Sequence, residues 1–158
     1  MNGVVLAGGS GSRLGPATRA VSKHLLPIYD KPMVFYPLSI LMLAGIRDVL
    51  VVAARNELPR FERLLGDGSR FGISIRYAGQ SRPGGPVDAL LAGAAFVGAD
   101  PCAAILGDNL FYGTDLRPKL ERAAGRESGA TVFATEVGDP RSYGVLELDR
   151  DGLSLIHI

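Results

Sequence analysis

The sequence has no tryptophan, one cysteine and only three lysines among its 158 residues. A single cysteine excludes an internal disulfide and a multi-thiolate metal site, which is typical of proteins in a reducing cytosol. The longest notable apolar run, 38–44, is interrupted by Ser39 and is too short to cross a bilayer, and no signal-peptide pattern opens the chain. The formal net charge is only +1, so no overall field draws the protein to nucleic acid or to an anionic membrane. We therefore expect a cytoplasmic protein without a nucleic-acid or membrane partner.

Glycine, in contrast, is abundant, at 21 of the 158 residues. Hydrophobic residues make up 47% of the chain and charged residues 21%, which is the composition of a globular domain with a buried core. The glycines follow no fixed period, which excludes collagen and solenoid repeats. They lie at the ends of apolar runs, where a turn or a close approach of backbone to ligand requires them.

Apolar strand patterns and helical patterns alternate along the chain. Buried strands are predicted at 4–7, 48–53 and 102–106, and further strands at 73–77, 131–137 and 144–148. Helices are predicted at 33–44, 57–65, 87–97 and 116–124. Cys102, in the third buried strand, is predicted to be a core thiol. Continuous apolar strands are typical of a parallel sheet covered on both faces. The pattern predicts an α/β fold, a doubly wound, Rossmann-like, mostly parallel sheet between helix layers.

A glycine-rich loop follows the first predicted strand. It contains Leu6, Ala7, Gly8, Gly9, Ser10 and Gly11. Three glycines within four residues let backbone N–H groups converge on one point, as in loops that bind phosphate oxygens. The Walker pattern fails because no lysine follows Gly11, and the dinucleotide pattern fails because Leu14 stands where its last glycine belongs. The loop is predicted to bind phosphate in another way, and a plain strand-to-turn loop is the alternative.

Four polar side chains extend this candidate site. Arg13 and Lys23 supply the cations that a triphosphate site needs as charge builds on the phosphoryl oxygens. Asp108 follows a buried strand and is a candidate Mg²⁺ ligand, because Mg²⁺ takes one or two carboxylates together with substrate phosphates. Gln80 offers both a donor and an acceptor to the edge of a nucleobase. The alternatives are solvated surface cations, an aspartate in a turn or helix cap, and a surface glutamine.

Together these segments resemble the sugar-1-phosphate nucleotidylyltransferases. The resemblance rests on the glycine loop as far as Leu14, and on three longer motifs. These motifs are Lys23-His-Leu-Leu-Pro-Ile-Tyr-Asp-Lys-Pro-Met33, Leu41-Met-Leu-Ala-Gly-Ile-Arg-Asp48 and Leu106-Gly-Asp-Asn-Leu-Phe-Tyr-Gly113. They agree with the family in order and spacing over residues 1–152. The likeness is greatest to the branch of the family that takes dTTP and glucose 1-phosphate.

The resemblance implies nucleotidyl transfer from dTTP to α-D-glucose 1-phosphate, giving dTDP-glucose and pyrophosphate. The dTDP-glucose would then enter dTDP-rhamnose synthesis. It implies that Arg13 and Lys23 act on the phosphates, and that Asp108 is catalytic and holds Mg²⁺ as the cofactor. It further implies a homo-oligomer, which is a tetramer in the family. The implied nucleotide-binding residues are Leu6, Ala7, Gly8, Gly9, Ser10, Gly11, Gln80 and Gly85, and the implied sugar-binding residues are Asn109, Tyr143 and Gly144.

The chain departs from the family pattern at several places. Pro86-Val-Asp-Ala89 stands where Leu-Ala-Gln-Ala is usual, Gly15 replaces a common tyrosine, and His24 replaces a common glutamine. A Glu-Lys-Pro segment that grips the sugar and a second metal-binding aspartate are not in the chain. We therefore expect weak turnover or none from this chain alone. The alternatives are a nucleotide-binding module without catalysis, and a transferase for another nucleoside triphosphate or sugar phosphate.

The last six residues, Leu153-Ser-Leu-Ile-His-Ile158, follow a turn that the family shares as far as Gly152. They match the translation of a common sequencing adapter in one reading frame. We expect residues 1–152 to be the nucleotide-binding part of a nucleotidylyltransferase domain, and 153–158 to be a non-native tail. The alternative is a natural edge strand, because the segment is apolar.

The resemblance predicts that Arg13→Ala and Lys23→Ala abolish transfer without unfolding the protein. Removing one preorganised charge partner costs roughly 10²–10³ in rate. Pyrophosphate release from dTTP and glucose 1-phosphate should fall by that factor in the full-length parent, while circular dichroism spectra stay unchanged. Wild-type turnover in either variant contradicts the assignment.

Overall fold

The computed structural model describes residues 1–9, 11–80, 84–149 and 154–157 of the chain. The chain divides into two compact units, Met1–Gly125 and Arg126–Ile158, and each is described by itself. None of the helices in the described ranges combines the length and the apolar character that a membrane crossing demands.

The larger unit is built on a parallel sheet. Its strands are β1 (Asn2–Ala7), β4 (Asp48–Ala54), β5 (Ser74–Gln80) and β6 (Cys102–Leu106). They lie in the order β5-β4-β1-β6, and each neighbouring pair is parallel. A short antiparallel pair, β2 (Pro27–Ile28) and β3 (Lys31–Pro32), comes between β1 and the first helix. Because all four strands of the main sheet run in one direction, their carboxyl ends meet at one edge.

Helices cover both faces of this sheet. They are α1 (Phe35–Leu43), α2 (Leu58–Leu65), α3 (Gly85–Ala92), α4 (Ala94–Val97) and α5 (Leu116–Ala124). One face packs against α1, α2 and α5 through side chains such as Leu38, Phe61 and Leu120. The other face packs against Ala89 of α3 and partly buried side chains of α3 and α4. This arrangement confirms the predicted doubly wound α/β fold.

Short 3₁₀ turns lie in the connections between these elements. In the larger unit they are Ser12–Leu14, Ala17–Arg19, Lys23–Leu25 and Ser69–Phe71. The first three all lie between β1 and β2, so the segment that follows the glycine loop is a series of tight turns rather than a helix.

The local sequences account for the best-buried elements. In β4 the run Val49-Leu-Val-Val52 is buried on both faces, since both faces of the sheet are covered. In α2, Phe61 and Leu65 are four residues apart and therefore share one helix face, and both are fully buried. The helix predicted at 57–65 is confirmed by α2.

The helix predicted over 87–97 is instead two helices, α3 and α4, on either side of Gly93. A Cβ on Gly93 would lie 2.8 Å from Cδ2 of Leu50 in β4. Gly93 therefore lies against the end of the Leu50 side chain, which would have to shift to admit a side chain here. An apolar, alanine-rich sequence predicts a continuous helix but carries no information about this close approach.

The strand β6 lies at the edge of the described sheet and is not the fully buried strand that its apolar sequence predicts. Cys102, Ala104 and Leu106 are exposed on one face, Leu106 to 40%, whereas Ile105 on the other face is buried. In the described residues the α3–α4 layer buries side chains of β1 and β4 on that face, but none of β6. The prediction that Cys102 is a core thiol is therefore wrong, since the thiol is exposed.

The smaller unit has one strand pair among its described residues. The strand β7 (Leu146–Leu148) pairs antiparallel with β8 (Ser154–His157), and the register shifts between Glu147 and Leu148. A 3₁₀ turn, Pro140–Ser142, precedes this pair. The strand predicted at 144–148 forms over its last three residues. Main-chain pairing of this kind requires no particular sequence, so the pairing of β8 fits both interpretations of the tail.

The strand predicted at 131–137 is wrong, because that segment is not a strand in the structure. Its side chains are exposed, Val132 to 54% and Phe133 to 42%. β-Branched and aromatic residues favour a strand only where a neighbouring strand pairs with it and a core covers one face. The described part of the smaller unit gives this segment neither, so its local preference is not realised.

Burial predicts unequal effects for the same substitution near the ends of two helices. Leu65 of α2 is fully buried, whereas Leu91 of α3 is 66% exposed. Leu65→Ala should lower the free energy of unfolding by about 2–5 kcal/mol, and Leu91→Ala should change it by less than about 0.5 kcal/mol. Urea denaturation followed by circular dichroism measures both values. Equal losses in the two variants would show that the packing of α2 is not as described.

Candidate active site

The candidate site lies at the carboxyl edge of the parallel sheet, where ligands bind in open α/β folds. The strand β1 leads into Gly8 and Gly9, β5 ends at Gln80, and β6 leads through Gly107 to Asp108. The sheet order brings β6 directly beside β1 and separates β5 from β1 by one strand. Residues that are about one hundred positions apart in the sequence therefore meet at one place.

Two cavities open at this edge. The smaller has a volume of about 200 Å³, and the larger about 830 Å³. Residues predicted for the site that line the smaller cavity are Leu6, Gly8, Gly9, Lys23, Gln80, Gly85 and Asp108. The larger cavity shares Gly8, Gly9 and Gln80 with the smaller one and adds Ala7. Most of the predicted nucleotide-binding residues therefore border one continuous region.

The side chain of Gln80 packs against the glycine loop. A Cβ on Gly8 would lie 1.8 Å from Oε1 of Gln80, so no other residue fits at position 8 while Gln80 keeps this place. Gln80 is only 8% exposed, and its Nε2 has no hydrogen-bond partner within the described residues. A buried donor without a partner costs about 1–3 kcal/mol. This amide group is therefore suited to donate to a carbonyl oxygen of a ligand.

The stem of Lys23 runs along the glycine loop. A Cβ on Gly9 would lie 3.2 Å from Cε of Lys23, and one on Gly11 would lie 3.0 Å from its Cβ. Gly11 adopts a φ of 65°, in the left-handed region that favours glycine. Its carbonyl oxygen accepts a hydrogen bond of 2.8 Å from Oγ1 of Thr18. The loop and the following turn thus enclose the lysine stem and direct its ammonium group toward the smaller cavity.

The ammonium group of Lys23 forms an ion pair with Oδ2 of Asp108. The two side chains are 20% and 33% exposed. Burial by itself would raise the pKa of Asp108, but the hydrogen bond and the positive charge of Lys23 outweigh burial and hold that pKa below its ordinary value. The carboxylate is therefore ionised at neutral pH and has the charge that a cation ligand needs.

His24 is buried directly beside this ion pair, with 1% of its surface exposed. Its Nδ1 lies 2.9 Å from Oγ of Ser22, and its Cδ2 would lie 2.7 Å from a Cβ on Gly107. Burial, followed by the positive charge of Lys23, lowers the pKa of His24 to about 4, and the charge of Asp108 opposes this shift. The ring is therefore neutral at pH 7.

The sequence identified His24 only as a departure from the family pattern. A lone histidine carries no local signal of burial, and its contact with Gly107 depends on the pairing of β1 with β6. Glu57, which lines the larger cavity, was also missed. The only feature of the sequence that could have singled out Glu57 was its position three residues before Arg60, at the start of a predicted helix, where the two side chains can pair.

Arg13 and Asn109 lie outside the linings of the two cavities. Arg13 is exposed in the 3₁₀ turn after the glycine loop. Asn109 is half-buried, and its backbone N–H donates to the carbonyl oxygen of Leu106 at 3.1 Å. Ser10 lies outside the described residues. The roles of these three residues stay predictions.

Tyr143 and Gly144, which the sequence predicts to bind the sugar, belong to the smaller unit. Tyr143 is 64% exposed, and its backbone N–H donates to the carbonyl oxygen of Pro140 at 2.9 Å. Each unit is described by itself, so the sugar-binding role of these residues stays a prediction.

Comparison with known proteins decides the family. The model of the family described as nucleotidyl transferase matches residues 2–158. The chain belongs to the nucleotidyl transferase family. This membership confirms the family-level resemblance that the glycine loop and the motifs around Lys23 and Asp108 predicted.

Within the nucleotidyl transferases, the chain is similar to curated relatives from several bacteria. It is 55% identical to the glucose-1-phosphate thymidylyltransferase of Neisseria meningitidis serogroup A over 151 residues, which are 96% of this chain and 52% of that protein. It is 53% identical to the enzyme of the same name from Mycolicibacterium smegmatis over 152 residues, again 96% and 52%. The chain spans about half the length of the curated relatives it matches.

Solved structures of nucleotidyl transferases show the same architecture. A crystal structure of a Bacillus anthracis protein assigned as a glucose-1-phosphate thymidylyltransferase, in complex with sucrose, superposes with a TM-score of 0.88 at 37% identity. That match covers 95% of this chain and 61% of the other. A UDP-glucose pyrophosphorylase complexed with UDP-glucose gives a TM-score of 0.64 at 28% identity, over 78% of this chain and 51% of the other.

The depressed pKa of His24 predicts a loss of stability in mild acid. A histidine is protonated near pH 6.5 when unfolded but only near pH 4 in the fold. Between these values the unfolded state binds more protons, so stability is complete above pH 6.5 and falls as the pH drops toward 4. From pH 7 to pH 5 the wild type should lose about 2 kcal/mol more unfolding free energy than His24→Gln, which does not titrate. Urea titrations at both pH values measure the difference. Parallel losses in the two proteins would mean that His24 is not buried in its neutral form.

Proposed function

We propose that the chain forms the nucleotide-binding part of a glucose-1-phosphate thymidylyltransferase. This enzyme transfers a thymidylyl group from dTTP to glucose 1-phosphate and releases pyrophosphate. One observation carries the proposal: a single cavity joins the glycine loop, the Lys23–Asp108 pair and a buried glutamine whose amide N–H lacks a partner within the described residues. The choice of nucleotide and sugar is supported by the names of relatives that are 53% and 55% identical.

Gln80 is suited to recognise the base. Its side-chain amide is held against Gly8 and offers a donor and an acceptor in one plane, which matches the alternating groups on the edge of a pyrimidine. Gly85, on the wall of the same cavity, adopts a φ of 81° and carries no side chain. Backbone groups at this position can therefore approach the base closely.

The phosphates fit between the glycine loop and Lys23. Backbone N–H groups of a glycine-rich loop after a strand are donors to phosphate oxygens. Entering phosphates compete with Asp108 for the ammonium group of Lys23, which the ion pair already holds at the cavity. An oxygen of the sugar phosphate attacks the α-phosphorus, and the bond to the leaving pyrophosphate breaks. Lys23 and Arg13 stabilise the negative charge that builds on the leaving group.

The chemistry of Asp108 fits Mg²⁺. The residue supplies an ionised oxygen ligand beside the phosphate loop, and Mg²⁺ takes one or two carboxylates together with substrate phosphates and water. Within the described residues no group of three or more histidine, cysteine, aspartate or glutamate side chains is arranged to hold a metal ion. Asp108 would therefore be one protein ligand among phosphate oxygens. A Mg²⁺ ion held by Asp108 would supply positive charge to neutralise the phosphates and orient the reacting groups.

Sugar binding by Asn109, Tyr143 and Gly144 is part of the same proposal, as are the homo-oligomer and the cytoplasmic location expected from the sequence. The product, dTDP-glucose, would serve dTDP-rhamnose synthesis.

A second candidate function is nucleotide binding without transfer. The cavity that holds the proposed base and phosphate ligands lies wholly in the larger unit, whereas two of the three proposed sugar ligands belong to the smaller one. Because the proposed nucleotide ligands all belong to the larger unit, this unit can bind a nucleotide even where sugar binding, and therefore transfer, is weak.

A binding assay and a transfer assay together test the proposal. Isothermal titration with dTTP and Mg²⁺ should show binding by the wild-type chain. Gln80→Ala should weaken it about tenfold, because one hydrogen bond to the base is lost. Asp108→Asn should weaken it by a similar factor through the loss of the metal ligand, whereas Leu91→Ala, on the exposed face of α3, should bind like the wild type.

Pyrophosphate release then separates the two candidates. We expect weak release that requires both dTTP and glucose 1-phosphate, and that is lost in Lys23→Ala. Binding of dTTP with no release favours the nucleotide-binding module. No binding of dTTP by a folded wild-type chain contradicts both functions.

A further inference from the structure

Glu57 uses its carboxylate in a way that its place in the sequence does not explain. It lies immediately before α2, where a polar side chain ordinarily caps the backbone N–H groups of the first turn. Its side chain forms no such cap. Instead Oε2 accepts a hydrogen bond of 3.1 Å from the backbone N–H of Ser22, 35 residues earlier in the chain. Both carboxylate oxygens also accept from Nη1 of Arg60 at 3.0 Å, and the Glu57 side chain is only 16% exposed.

The bond to Ser22 and a ring contact from α2 both reach residues that flank Lys23. Ser22 precedes the lysine, and its Oγ lies 2.9 Å from Nδ1 of His24, which follows it. The His24 ring in turn lies 6.5 Å, centroid to centroid, from the ring of Phe61 in α2. Glu57 and the helix that follows it thus contact the chain on both sides of the lysine.

The helix α2, which begins directly after Glu57, is anchored in the hydrophobic core. Phe61 and Leu65 are both fully buried in the core beneath the sheet. A lysine side chain has four rotatable bonds, so the position of its ammonium group depends on how firmly its backbone is held. The backbone hydrogen bond of Ser22 and the ring contact of His24 restrict that position before any ligand arrives, which is the condition for a preorganised charge.

We propose that Glu57 is a positioning residue for Lys23. By holding the Ser22 N–H it keeps the lysine backbone against α2, so that the ammonium group lies at Asp108 and the glycine loop. Glu57 acts through Lys23 and does not itself bind the nucleotide. The consequence for nucleotide affinity rests on the proposed function, whereas the position of Lys23 is measurable without any nucleotide.

Four variants and one matched control separate the bond to Ser22 from the charge of Glu57. Glu57→Ala removes the acceptor, and Glu57→Gln keeps a carbonyl oxygen for the Ser22 N–H while it removes the charge. Arg60→Ala removes the other partner of the carboxylate, from a side chain that is 48% exposed. Ser22→Pro cuts the bond from the opposite side, because proline lacks the N–H and the φ of Ser22, −56°, already suits it. Ser22→Ala is its matched control, since it loses the same hydroxyl group but keeps the N–H.

The first experiment measures how accessible Lys23 is. The chain has three lysines, at positions 23, 31 and 119, so competitive acylation read by mass spectrometry gives the labelling of Lys23 relative to exposed Lys119 of α5 in the same molecule. The ratio should rise about tenfold in Glu57→Ala and in Ser22→Pro relative to Ser22→Ala, the factor expected when a hydrogen bond to a charged group is lost. Glu57→Gln and Arg60→Ala should stay within about twofold of the wild type. Asp108→Asn, which removes the partner of the ammonium group, is the positive control.

Several outcomes of this experiment overturn the proposal. A wild-type ratio in folded Glu57→Ala would show that Glu57 does not hold Lys23. An equal rise in Glu57→Gln would show that the charge matters and not the bond to Ser22. If Glu57→Ala fails to fold, the comparison of Ser22→Pro with Ser22→Ala decides the same question.

The second experiment is a double-mutant cycle with dTTP. Glu57→Ala should weaken dTTP binding about tenfold in the wild-type background and have little further effect in Lys23→Ala, since a residue that acts through Lys23 has nothing to position once the lysine is gone. Additive losses would show that Glu57 binds the nucleotide independently and would overturn the positioning role. If the wild type does not bind dTTP, the proposed function fails, and the acylation ratios still decide the role of Glu57.

Discussion

The whole site depends on the parallel pairing of β1 with strands on both of its sides. This strand is held from two directions, with β4 on one edge and β6 on the other, and Val4 and Val5 at its centre are fully buried. The ladder continues past the strand ends, where the N–H of Gly107 donates to the carbonyl oxygen of Leu6 at 2.8 Å. Because the pairing is parallel, the loop after β1 and the loop after β6 leave the sheet at the same edge. The glycine loop and Asp108 therefore meet.

The glycines at this edge supply space more than flexibility. A side chain at Gly8 would occupy the position of the Gln80 amide, and one at Gly107 would occupy that of the His24 ring. The volume that these glycines leave is filled by the groups that give the site its chemistry. The result is a small, crowded region in which an amide donor, an ammonium group and a carboxylate are held close together. Burial of the His24 ring, followed by the charge of Lys23, lowers the pKa of His24 and keeps it neutral beside the charged pair.

The helix α2 links the stability of the core to the geometry of the site. Its buried face, through Phe61 and Leu65, belongs to the main core of the larger unit. Glu57, immediately before the helix, and Phe61 within it contact the two residues on either side of Lys23. The hydrogen bond from Ser22 to Glu57 and the ring contact of His24 thus hold the residues on either side of the lysine, and the ion pair with Asp108 holds its ammonium group.

The sequence by itself determined the parts of this protein that depend on short-range patterns. The buried runs of β1 and β4, the amphipathic face of α2 and the glycine loop are each encoded within ten residues or fewer, and the motifs around Lys23 and Asp108 were enough to indicate the family. Predictions that depend on a partner distant in the sequence were wrong. The segment 131–137 has the composition of a strand, but it lacks a pairing strand among the described residues. Cys102 lies in an apolar run, but its side chain is on a face that the described helices leave uncovered.

Only the tertiary structure decided which residues touch. Gly93 lies against the side chain of Leu50, the His24 ring fills the space beside Gly107, and Glu57 accepts a hydrogen bond from the backbone N–H of Ser22. The first two partners are more than forty residues from the positions that they constrain, and the third is 35 residues away. Local preference acts over a few residues along the chain, whereas burial, close approach and hydrogen bonding depend on distance in space, which the parallel sheet sets.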